Sequence, residues 1–114
     1  MSIQELKKLA QKYSSKKVPT RTVVSDVYDR NVYISEYIKV LANGICQLCG
    51  KEAPFKDKQG MPYLESHHID WLANGGEDSI ENTVALCPNC HKKMHVVNSP
   101  EDVKFLKLKK MINK

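Results

Sequence analysis

The sequence predicts an α+β fold, a short hairpin and one helix flanked by N- and C-terminal helices, and three observations carry the prediction. Apolar residues recur at helical spacing near the start and before residue 43, and a helix-start signal stands at residue 99. Two short runs, 63–69 and 83–86, have the composition of strands. All four cysteines and all four histidines fall into three tight groups, Cys46-x-x-Cys49, His67-His68 and Cys87-x-x-Cys90-His91-x-x-x-His95. Chance rarely gathers every soft ligand and every imidazole in this way, and the spacing is that of metal ligands.

Each element has a local reason. Ser2 and Glu5 stand in capping-box register before Ile3, Leu6, Leu9, Ala10 and Tyr13 on one helical face. A helix this short is marginal alone, so its stripe needs a surface to pack on. Residues 14–22, SSKKVPTRT, have the composition of a linker. A second helix is predicted from about Asn31 to Ala42, with Tyr33, Tyr37, Val40 and Leu41 on one stripe and Ile34 and Ile38 close to it. Asn43-Gly44 ends it, because glycine takes the left-handed conformation freely. Asp57-Lys58-Gln59-Gly60 is a turn leading into a strand over Tyr63–Ile69, and Thr83–Leu86 is the second strand. From Pro88 the chain is predicted to turn helical, carrying His91 and His95. Ser99-Pro100-Glu101-Asp102 starts a last, basic helix.

The chain has 114 residues, a net charge of +5, 41% hydrophobic residues and a mean hydropathy of −0.48. That is enough for one domain with a modest core, the situation in which small chains lean on metals or disulfides. No run approaches a membrane span, and the charged first ten residues do not resemble a signal peptide. A reducing compartment, the cytoplasm, is therefore expected, where C-x-x-C pairs read as metal ligands. Charge is unevenly placed. Residues 1–22 hold six basic groups and one acid, 91–114 hold seven lysines and two acids, and 23–90 hold five basic groups and ten acids. Basic ends suit a polyanionic partner, although lysine-rich helices also serve simply as solvated surface.

Two C-x-x-C pairs separated by 37 residues predict a tetrahedral four-cysteine zinc site, Cys46, Cys49, Cys87 and Cys90. Four thiolates leave zinc no open position, so the site is structural; a redox dithiol is the alternative. His91 and His95, four apart on a helix, point the same way and make half of a transition-metal site. His67 and His68 lie in an extended segment whose neighbours face opposite sides. One of them can complete a three-nitrogen site while the other turns toward a reaction. Glu65 shares the face of His67 and could orient a ligand. Asn82 reads equally well as a loop asparagine capping a turn. Trp71 reads as a packing residue.

The words ANGICQLCG, APF, PYLESHHI and GGEDSIENTVALCPNCHKKMH resemble the HNH endonucleases, whose ββα-metal fold binds one divalent ion. Within that family they resemble the restriction enzymes that cut modified-cytosine DNA. The resemblance covers Cys46 to His95 and implies roles by position. His68 is the general base, His67, His91 and His95 hold the ion, and Asn82 fixes a loop and helps to orient His68. The four cysteines hold the structural zinc. One departure is Asp70-Trp71, where relatives often carry a proline. On this reading residues 1–22 are a basic N-terminal helix and linker, a remnant of a larger recognition domain, and residues 23–114 are the nuclease domain. An all-nitrogen site suits Ni²⁺, Co²⁺, Zn²⁺ or Mn²⁺ better than Mg²⁺, whereas the resemblance implies Mg²⁺ or Mn²⁺. Lys92 and Lys93 on the histidine helix, with Arg21 and Arg30, the only arginines, are expected to meet DNA phosphates. Cutting both strands with one metal centre requires two events or a homodimer. The rival readings are a non-catalytic zinc module that binds nucleic acid, for which the clustered imidazoles have no use, and a zinc scaffold for protein contacts.

Overall fold

The computed structural model describes residues 1–14 and 24–112, with backbone alone for 24–31. Helix α1 spans Ile3–Tyr13. Its capping box closes as predicted: Glu5 N–H donates to Ser2 Oγ at 3.1 Å and Ser2 N–H donates to Glu5 Oε1 at 3.4 Å. The stripe finds its surface on α2, where Ala10 is fully buried and Tyr13 stacks on Tyr33 with ring centroids 5.5 Å apart.

Helix α2 spans Val24–Ala42 and so begins seven residues before the predicted start. Neither Gly nor Pro interrupts that stretch, and nothing in it stops a helix from propagating backward. Its buried face is centred on Ile34, Tyr37, Ile38 and Ala42, whereas Val40 and Leu41, assigned to the same stripe from sequence, are exposed. The helix ends at Asn43 (φ 51°) and Gly44 (φ 81°), both left-handed as the Asn-Gly pair predicts.

From there the chain makes a knuckle. Cys46 N–H donates to Lys51 O at 2.9 Å and Gly50 N–H to Cys46 O at 3.0 Å, folding Cys49 back beside Cys46. The Asp57 carboxylate then holds the tip of a small finger, accepting from the N–H groups of Gln59 and Met61 at 2.9 and 3.0 Å.

Strand β1 is Glu65–His68, shorter than the predicted 63–69, and pairs antiparallel with β2, Thr83–Leu86, in the register His67↔Val84 and His68↔Thr83. Between them the loop makes two short 3₁₀ turns, Leu72–Asn74 and Ile80–Asn82. Helix α3, Pro88–Val96, follows β2 directly with Pro88 in its first turn, where the missing N–H costs nothing. Helix α4, Pro100–Ile112, starts with Asp102 N–H on Ser99 Oγ at 3.2 Å. The order β1–β2–α3 is the ββα unit. Ile34, Ile38, Val84, Leu86, Met94 and Leu106 form the core between that unit and α2 and α4, and Ala10 of α1 belongs to the same cluster. Among the described residues no helix is long and apolar enough to cross a membrane.

Gly76 shows how tightly the 70–82 loop folds. A Cβ placed there would stand 1.9 Å from Asp70 O and 2.9 Å from Trp71 O, both backbone atoms. Gly50, with φ 75°, has open space where its Cβ would point. Gly76→Ala should therefore cost about 3 kcal/mol or more, because backbone must move, and Gly50→Ala only about 1–2 kcal/mol for its dihedral. Thermal melts of the two variants check this; equal losses would refute the close approach.

Candidate metal centres and catalytic site

The cysteine cluster is built by two knuckles that meet. In the first, Cys49 N–H points at Cys46 Sγ at 3.5 Å; in the second, Cys87 caps α3 and its Sγ accepts from Cys90 N–H at 3.5 Å. Gln47 joins the knuckles: its N–H donates to Ala85 O at 2.9 Å and its Oε1 accepts from Ala85 N–H at 2.8 Å. The four Sγ atoms lie within 4.8 Å of one another, with Cys49 and Cys87 4.0 Å apart. A tetrahedral zinc–thiolate shell needs sulfurs about 3.8 Å apart, so the set fits such an ion. Burial pushes the Cys46 thiol up, but the backbone N–H groups of Cys49, Cys87 and Leu48 outweigh it and hold the pKa at about 7. Burial and the neighbouring thiols push Cys90 up.

The second cluster lies where β1 meets α3. His67, 3% exposed, projects from β1 toward α3, whose His91 and His95 are one turn apart. One nitrogen from each of the three rings lies within 4.8 Å of the others. His91 Nε2 and His95 Nε2 are 3.1 Å apart, and His67 Nε2 is buried with no hydrogen-bond partner. Burial first, then the neighbouring rings, hold the His67 pKa down to about 4, which keeps its lone pair available at neutral pH. Three imidazole nitrogens this close, one of them buried and orphaned, could hold a transition-metal ion.

The supporting residues differ in part from the sequence reading. Glu65 shares the face of His67, as predicted, and its carboxylate reaches His91: Oε1 lies 2.7 Å from His91 Nδ1. That contact favours a proton on Nδ1 and leaves the Nε2 lone pair toward the other two rings, the state a metal ligand needs. Tyr63, which the sequence reading passed over, donates its hydroxyl to Glu65 Oε2 at 2.8 Å. The His91 ring, with help from Tyr63, holds the Glu65 carboxyl below its usual range against the effect of burial. Tyr63 was findable: it stands two residues before Glu65 on an extended segment and so shares its face. Trp71 packs against His95 with ring centroids 5.3 Å apart, which makes it a wall of the site.

Three of the four imidazoles converge, and His68 does not join them. Strand alternation turns it to the other face, into a groove of about 300 Å³ lined by Val32, Ser35, Glu36 and Thr83. There its Nε2 lies 3.1 Å from Asp78 Oδ1. Asn82 is buried and fixes the loop: its Oδ1 accepts from Asp70 N–H at 2.9 Å, and its Nδ2 donates to Asp70 O and Glu77 O at 2.9 and 2.7 Å. Its link to His68 therefore runs through the chain next to Asp78. Lys92 is exposed on α3, whereas the Lys93 ammonium is held by Asp102 of α4 at 3.1 Å. Arg21 lies outside the described residues, and Arg30 lies in the stretch of α2 described by backbone alone.

Residues 46–96 match the model of the HNH endonuclease family. Over 97 residues the chain is 40% identical to the type IV methyl-directed restriction enzyme EcoKMcrA of Escherichia coli (strain K12), an alignment covering 85% of this chain and 35% of that protein. It also superposes on the structure of the type IV phosphorothioation-dependent restriction endonuclease ScoMcrA with a TM-score of 0.66 and 26% identity, covering 95% of this chain and 20% of that one. The chain thus spans about 35% of the length of the curated relative it matches.

Two outcomes separate the clusters experimentally. Cys87→Ser removes a thiolate from the cluster while its hydroxyl can still cap α3, so the loss reads the metal site, and it should lower the Tm by at least ~10 °C. A variant melting like the wild type would remove the structural role. Glu65→Ala should weaken metal binding at the histidines ~10–100-fold with the cysteine cluster still loaded. Titration against a chromophoric chelator reads this, and unchanged affinity would disprove the support assigned to Glu65.

Proposed function

We propose that this chain hydrolyses phosphodiester bonds in DNA: residues 46–96 match the HNH endonuclease model and fold on a ββα frame. The observation that carries the reading is the buried, partnerless Nε2 of His67 facing the rings of His91 and His95. A structural domain has no reason to bury an imidazole nitrogen unsatisfied beside two others, whereas a metal site does.

A divalent ion on these nitrogens would supply positive charge where the phosphate transition state gathers negative charge. The chain does the rest. Glu65 and Tyr63 orient His91, Trp71 packs on His95, and burial keeps His67 neutral. His68 is the general base that takes a proton from the attacking water. The water oxygen bonds to phosphorus, the bond to the 3′ oxygen breaks, and that oxygen leaves with a proton from solvent. The ends are then a 5′-phosphate and a 3′-hydroxyl. His68 is the last residue of β1, so base and ion would meet one phosphate around the end of the strand. The four cysteines would hold zinc and fix the frame. Exposed Lys92 would meet the DNA backbone, as would Arg21 and Arg30 on the sequence reading alone.

The finer proposal is restriction of modified-cytosine DNA, supported by the likeness to a methyl-directed restriction enzyme. The neighbour of known structure is named for phosphorothioation, a different mark, although it shares this unit. We therefore assign cutting to 23–114 and the choice of mark to residues outside that range.

Native mass spectrometry with a plasmid-nicking assay across Mg²⁺, Mn²⁺, Ni²⁺, Co²⁺ and Zn²⁺ tests this. The expected result is two ions per chain and nicking, one ion in His91→Ala, and two ions with cleavage reduced ~10²–10⁴-fold in His68→Ala. One ion per chain and no nicking in any metal would favour a non-catalytic zinc module. Unmodified, methylated and hydroxymethylated duplexes, cut side by side, test the finer proposal; equal rates would confine it to longer relatives.

A further inference from the structure

The carboxylate beside His68 was invisible in the sequence and has no counterpart among the roles assigned so far. Asp78 is 1% exposed, among the most deeply buried polar residues described, and its Oδ1 lies 3.1 Å from His68 Nε2. Its position is fixed from both sides. Asn82 Nδ2 donates to Glu77 O at 2.7 Å just before it, and Thr83 Oγ1 donates to Ser79 O at 2.7 Å just after it. Ile69 N–H donates to Asn82 O at 2.8 Å, which ties the residue after His68 to the same loop. The donor and acceptor ends of the contact are thus both held by hydrogen bonds. The His68 side chain retains a quarter of its exposure and opens on the groove between β1 and α2.

We propose that Asp78 is the positioning residue of the general base, holding the His68 proton on Nε2 so that the Nδ1 lone pair faces the water. A buried carboxylate only accepts hydrogen bonds, so an imidazole nitrogen 3.1 Å away must carry the proton. When water is deprotonated, its proton goes to Nδ1, the Nε2–H stays on Asp78, and the hydroxide attacks phosphorus. The loop asparagine acts one step removed: it places Glu77, hence Asp78, hence the ring. This inference rests on the nuclease reading for its catalytic part and on geometry alone for the tautomer.

The test uses the zinc-loaded full chain. Long-range ¹⁵N–¹H spectra should place the His68 proton on Nε2 in the wild type. In Asp78→Asn, whose amide can donate to that nitrogen, the proton should move to Nδ1. Nicking kinetics should show kcat reduced ~10²–10⁴-fold with KM within about twofold, and Asp78→Glu should recover part of the loss. A wild-type proton on Nδ1, or Asp78→Asn with unchanged kcat, would overturn the proposal. A loss carried wholly in KM or in thermal stability would make Asp78 structural and overturn it equally. Should Asp78→Asn fail to fold, the wild-type spectrum still decides. A wild-type chain with the predicted tautomer that cuts nothing would instead refute the nuclease reading and leave the contact standing.

Discussion

The convergence of four cysteines is the constraint from which the rest of the molecule follows. It pins residue 46, just after α2, to residues 87 and 90, where β2 ends and α3 begins. The chain between must therefore leave and return within a few ångströms, and a two-stranded antiparallel pair with a folded loop is the shape that results. Two strands of four residues would not hold together in water. Here they are clamped at one end by the knuckles and covered by α2 and α3. Because Cys87 both belongs to the cluster and caps α3, the clamp also fixes the angle at which His91 and His95 meet β1. The two clusters are thus mechanically one: the cysteines hold the helix that presents the imidazoles.

What the sequence disclosed, and what it withheld, divides by range. Ser2 with Glu5, Asn43-Gly44 and Ser99 before Pro100 signal helix ends through contacts spanning three or four residues, and the structure places those ends there. His91 and His95 share a face by helix geometry alone. The contacts that sequence reasoning missed are made across the fold. Asp78 sits in a Gly-Gly-Glu-Asp-Ser stretch that looks like any solvated turn, and nothing local says that its carboxylate is buried against a histidine ten residues earlier. Gln47 looks like knuckle filler but spans to Ala85, 38 residues on. Glu65 was placed on the correct face as a residue that could orient a ligand, but which ring it meets depends on how α3 packs. Helix α2 reaches back to Val24 because polar Ser25, Asp26 and Asp29 hide a stretch that has no breaker. Adjacent histidines on a strand separate by geometry, so three rings meeting and one turning away was legible; the partner waiting for the fourth was not.

Charge was the least reliable guide. The lysine-rich C-terminus reads as a grip for a polyanion, yet part of that charge is paired within the chain itself. Lys107 pairs with Asp70 at 3.1 Å, Lys109 donates to Gln47 O at 3.2 Å, and Asp102 holds Lys93. These contacts fasten α4 to the loop, the first knuckle and α3. Exposed pairs of this kind contribute little energy each, but together they set where α4 lies along the ββα unit. The cationic surface left over is smaller than composition suggests.

Gln47 has one more effect. Its main-chain N–H and side-chain oxygen together occupy the outward carbonyl and N–H of Ala85, the two groups through which β2 would otherwise recruit another strand. The amide behaves as a one-residue imitation of a neighbouring strand and blunts that margin of the sheet. Aggregation by edge-to-edge stacking is discouraged along that side of the sheet.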